Sequence, residues 1–129
     1  MRYDEFLARI RERGEYPGQE EAAAIAHAVL AVLAERLAPG EADDLAAQLP
    51  GRLAETVHAA RDQRAERFGI EEFYGRVSKR LGPRPRTAEW DAKAVLTTLA
   101  ETVSLGELEH ILTQLPEDFG ALFGRSPGD

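Results

Sequence analysis

The feature that most constrains this chain is that it repeats itself. Gly40–Pro50 reads GEADDLAAQLP and Gly106–Pro116 reads GELEHILTQLP. The match extends upstream: AVLAVLAERLAPGE (28–41) aligns with AVLTTLAETVSLGE (94–107), and DEFLARIRER (4–13) with EEFYGRVSKR (71–80). In that register Glu5, Phe6, Arg9 and Arg13 fall on Glu72, Phe73, Arg76 and Arg80, and Glu35 falls on Glu101. Similarity in order along both halves is the signature of tandem units that pack against one another. The expected layout is one domain, with repeat 1 over 3–57, a charged helical connector over 58–69, repeat 2 over 70–123 and a frayed tail over 124–129.

Each half reads as four helices, so the fold class expected is all-α, a bundle of about eight. Tyr3, Phe6, Leu7 and Ile10 form an i, i+3, i+4, i+7 stripe, matched by Ile70, Phe73, Tyr74 and Val77. The second helices run over Gln19–Leu37 and Ala88–Val103, the latter with Thr87 as N-cap. Their stripes are Ala22, Ala26, Val29, Leu33 and Leu37, and Ala92, Val95, Leu96, Leu99 and Val103. The third helices carry Ala42, Leu45, Ala46 and Leu49 in one half, and Leu108, Ile111, Leu112 and Leu115 in the other. Ser104 and Glu107 spell a capping box, and Pro39 suits a first turn. Glu41 and Glu107 therefore belong to first turns, where the helix dipole favours a carboxylate. Pro50 and Pro116 stop these helices and deprive the carbonyls of Ala46 and Leu112 of their usual donor; Gln48 and Gln114 are expected to supply one. The fourth helices carry Leu53 and Val57, and Phe119 and Phe123.

The paired Gly-Glu…Gln-Leu-Pro blocks, with YDEFLARIRER, LAERLAPGEADDLAAQLP, EEFYGRVSKRLG and TVSLGELEHILTQLPEDFGALF, resemble the bacterial "domain of unknown function 2267" family over nearly the whole chain. The resemblance implies a small, duplicated, all-helical bacterial protein. It brings no catalytic residues with it.

Composition bounds the rest. With 129 residues the chain is long enough for a real core, and 43% hydrophobic with 30% charged residues is a globular balance. A net charge of −7 disfavours nucleic acid or an anionic membrane as the main partner. The absence of cysteine excludes thiolate chemistry. No apolar run reaches the ~20 residues of a membrane span, and MRYDEFLARIRER has no secretory h-region, so a cytoplasmic address is expected.

No nucleophile elbow, phosphate loop or H-E-x-x-H helix is present, so no catalytic residue, cofactor or metal is assigned and an enzyme is not expected. His27, His58 and His110 stand apart; His58 and Asp62 share a helix face as a surface salt link. Asp43, Asp44, Glu107 and Glu109 read as dipole partners ahead of a divalent-metal site between the repeats, there being no EF-hand spacing. Glu35 and Glu101, oddly acidic for last turns, are expected to accept backbone amides from the third helices. Lys79, Arg80, Arg84 and Arg86 make a basic loop suited to an anion or acidic partner. The leading functional expectation is a non-enzymatic module for protein–protein interaction or self-association. The alternative is an apolar ligand in the seam between the repeats, lined by Phe6, Phe73, Tyr74 and Trp90.

Overall fold

The computed structural model describes residues 1–62, 64 and 66–125. Among these the chain is all helix and turn: α1 (Tyr3–Gly14), α2 (Gln19–Arg36), α3 (Pro39–Ala46), α4 (Gly51–Ala60), α5 (Ile70–Leu81), α6 (Ala88–Thr102), α7 (Leu105–Thr113) and a closing 3-10 helix, Glu117–Phe123. None of these helices is long and apolar enough to cross a membrane.

The chain buries one continuous core. Helix α2 lies at its centre, against α1, α4, α5 and α6. Its run of Ala, Val, Leu and Ile residues is buried nearly all round, as expected of a helix with no solvent face. Helix α6 is the other hub, against α1, α2, α5 and the 3-10 helix. Phe6, Phe73 and Phe119 are wholly buried, the last two edge to face with centroids 5.3 Å apart.

Helices α1 and α5 each bridge the two hubs, and α3 meets α7. The contacts are reciprocal. Arg9 and Arg13 of α1 reach Glu101 of α6, while Arg76 and Arg80 of α5 reach Glu35 of α2. These are positions that the sequence aligns with one another. Glu35 and Glu101 thus bind guanidinium groups of the opposite half, not the backbone amides expected of them. Each Arg pair cancels a carboxylate that its own helix dipole disfavours.

Four further expectations are corrected. Helix α4 stops at Ala60, so the helical connector expected over 58–69 is absent at Arg61, Asp62, Arg64 and residues 66–69. The Asp62 carboxylate takes the backbone N–H of Arg64, a local bond that competes with helix, and buried Phe68 pulls the segment onto the core. Its carbonyl accepts from Arg36 Nε at 2.7 Å and its ring lies under the Arg76 guanidinium. His58 pairs at 3.1 Å with Asp43 on α3, not with Asp62. The last element is a 3-10 helix, closed by Gly124 at φ 86°. Finally, the carbonyls of Ala46 and Leu112 take the amides of Leu49 and Leu115 in tightened last turns, which releases Gln48 and Gln114. The expected frayed tail lies largely outside the described residues, which reach Arg125.

Candidate functional site

The released glutamines build the site. Helix α3 opens on Ala38, which has no side chain to cap it. Gln114, at the end of α7, crosses over and accepts the Ala38 amide at 3.0 Å. Gln48, at the end of α3, accepts the Ser104 amide opening α7 at 2.7 Å. Each third helix therefore caps the start of the other, and the two lie side by side with the end of each against the start of the other.

That exchange changes the capping box. Ser104 Oγ accepts from the Glu107 amide at 3.1 Å, the expected half. In the usual box the glutamate would reach back to the Ser104 amide. Here Gln48 occupies that amide, so the Glu107 side chain turns inward. It meets Glu41, its aligned counterpart at the third residue of α3. Both are buried, with 9% of Glu41 and 6% of Glu107 exposed. Glu41 Oε1 accepts from Gln114 Nε2 at 3.3 Å. The Oε2 atoms of Glu41 and Glu107 are buried with no hydrogen-bond partner among the described residues.

Two carboxylates this close in a buried site do not both ionise easily. Burial first, then the Glu41 carboxylate and the charge of Asp44, push the Glu107 carboxyl up to about 8. The pair therefore holds a proton at neutral pH. His110, one helical turn beyond Glu107 and exposed, brings a ring nitrogen into the same cluster: donor atoms of Glu41, Glu107 and His110 all lie within 4.8 Å of one another. From sequence Glu107 reads as a dipole partner, with a divalent-metal site between the repeats as the alternative, and His110 reads as isolated. The recurrence of Glu41 as Glu107 was the available signal.

Of the residues expected to line a ligand seam, Phe73 and Tyr74 pack edge to face with centroids 6.4 Å apart. Phe6 and Phe73 are core, Tyr74 is half-buried on α5, and Trp90 borders a groove. That groove, about 310 Å³, runs between α1 and α6 and is also lined by Arg13, Lys93, Ala94 and Thr97. Trp90 is 38% exposed but fixed: its indole N–H donates to the Gly14 carbonyl at 2.8 Å, and the Arg86 guanidinium sits 4.3 Å over its ring.

The basic loop is largely spent on the fold. Arg80 pairs with Glu35. Arg84 is mostly buried between Glu21 and Asp91, at 3.2 and 2.5 Å. Asp91, 1% exposed, also accepts from the Tyr16 hydroxyl at 2.6 Å; burial first, and then this bond, drive that phenol's pKa upward. Lys79 stays exposed, and Arg86 is on the indole. His27 is bound between Tyr3 and Thr56 at 2.9 and 2.6 Å, its pKa lowered by burial and then by Arg52.

Residues 3–122 match the family described as "Uncharacterized conserved protein (DUF2267)". The chain belongs to that family. No curated protein matches the sequence of this DUF2267 protein. The family carries no assigned activity to lay over either the glutamate pair or the groove, so both are read from their own chemistry.

Proposed function

We propose that this DUF2267 protein is a non-enzymatic helical module that acts by binding another protein chain, through the face where α1 meets α6. The observation that supports this is Trp90. An indole exposed by 38% and already fixed by a hydrogen bond and a stacked guanidinium is an ordered anchor, and ordered aromatic anchors lose little entropy on binding. Lys93 and Arg86 border it, so the face suits an acidic segment that places one apolar side chain in the 310 Å³ groove. We also infer that residues 3–57 and 70–123 are copies of one duplicated unit. The exchanged Arg–Glu pairs and glutamine caps support this, since one set of residues serves both directions.

A photo-crosslinking residue at position 93, activated in cells, tests the binding reading, with each crosslinked peptide sequenced by mass spectrometry. An acidic segment of a different protein, lost on Trp90→Ala, is expected. Crosslinks confined to a second copy of the chain would replace the partner with self-association. No crosslink at all would refute the reading. A small apolar ligand is the second reading, supported by the groove's position between α1 and α6 and by its volume, at the lower end for ligand sites. A retained mass of a few hundred daltons in a native mass spectrum would favour it.

A further inference from the structure

The glutamate pair is unexplained by any protein-binding role. A buried carboxylate oxygen without a partner costs free energy, and the fold places two of them face to face. The exchanged caps turn both side chains inward, so the arrangement follows from the architecture. A proton shared between them, an ordered water or a cation can satisfy those oxygens. Among the described residues, neither glutamate forms a salt bridge with lysine or arginine.

The geometry points to a divalent-cation site formed by Glu41 of α3 and by Glu107 and His110 of α7. Four observations carry it. The donor atoms already converge, all within 4.8 Å of one another. A tetrahedral ion with bonds of about 2.0–2.2 Å holds its donors about 3.3–3.6 Å apart, so the side chains need to close by on the order of 1 Å, within the reach of small rotamer changes. Two carboxylates neutralise the charge of a divalent ion, and each of these glutamates carries a buried Oε2 without a hydrogen-bond partner. Glu107 and His110 stand at i and i+3, the Glu-x-x-His spacing that places both side chains on one helix face in carboxylate-rich metal sites. Gln114 Nε2 holds the other oxygen of Glu41, the kind of outer contact that orients a ligating carboxylate.

The donor set also selects the ion. Two oxygens and one imidazole nitrogen suit zinc, manganese or iron(II) better than magnesium or calcium, which take all-oxygen shells. Exposed His110 supplies the entry side, and Asp44, whose charge is felt at Glu107, adds local negative potential. Bound there, the ion would tie α3 to α7 and so join the two halves of the chain. The site is independent of how the Trp90 face is used.

The test uses the untagged full chain, stripped with EDTA and titrated with Zn²⁺ by calorimetry, with thermal unfolding alongside. One ion per chain and a raised Tm are expected. Glu107→Gln should abolish binding and His110→Ala should weaken it at least about tenfold, while His58→Ala leaves it unchanged. The Glu107→Gln chain is expected to be at least as stable as the parent without metal, so lost binding there does not report unfolding. No binding by the parent chain would overturn the site. Affinity retained in both Glu107→Gln and His110→Ala, or lost in His58→Ala, would place the ion elsewhere and overturn it equally.

Discussion

Replacing Glu107 with glutamine should stabilise the metal-free protein, and the size of the effect follows from its surroundings. The carboxyl is 6% exposed, faces Glu41 with Asp44 nearby, and has a pKa raised from its ordinary 4.5 to about 8. A group that binds its proton more tightly when folded contributes most below its unfolded pKa. That contribution is lost as pH rises from 4.5 towards 8, at up to about 1.4 kcal/mol per pH unit. At pH 7 folding must force a proton onto a group that is ionised in the unfolded chain, a cost on the order of 3 kcal/mol. Glutamine is neutral at every pH, and its amide can donate to the Glu41 oxygen that now has no partner. The assay is urea unfolding in EDTA, followed by the fluorescence of Trp90, at steps between pH 5 and pH 8. The advantage of Glu107→Gln over the parent should grow with pH and be smallest at pH 5. His27, whose depressed pKa costs stability as pH falls below 6.5, acts alike in both proteins and cancels in the difference. Parallel stability curves would refute the buried, proton-holding pair.

Other consequences are local. Asp91→Ala removes the shared partner of Arg84 and Tyr16 from a site 1% exposed, and should cost roughly 3 kcal/mol or more in chemical denaturation. Gly14→Ala would bring a methyl within 2.0 Å of the Tyr16 ring, whose hydroxyl is held on Asp91; a loss of roughly 1–3 kcal/mol in Tm-derived stability is expected. Gln114→Ala should cost about 1 kcal/mol and exceed Gln48→Ala, because α7 retains Ser104 as its own cap and α3 has none. Equal losses would argue against the exchanged caps.

Much of the fold was legible because helical periodicity is a local property. The stripes on α1, α5, α6 and α7 land in the core or pack against it, and Thr87 and Ser104 cap as their spacing implies. What failed was what depends on partners distant in sequence. Gln48 and Gln114 looked like helpers for their own helix ends, yet the backbone amides that donate to them lie 56 and 76 residues away. Glu35 and Glu101 were marked by recurrence, but no local rule names an arginine from the opposite half. Glu41 and Glu107 had an adequate local explanation in the helix dipole, which concealed their burial against each other. The connector misled because charge suggested a solvated helix while Phe68, one aromatic in a polar stretch, anchored it instead.

The central claim is that the two buried glutamates form a site for an ion, and the most direct measurement is anomalous X-ray scattering at the zinc absorption edge from crystals grown with Zn²⁺. One peak is expected between α3 and α7, with Glu41 and Glu107 oxygens and a His110 nitrogen about 2.0–2.2 Å from it. A map with no peak there, or with zinc only at the His58–Asp43 pair, would contradict it.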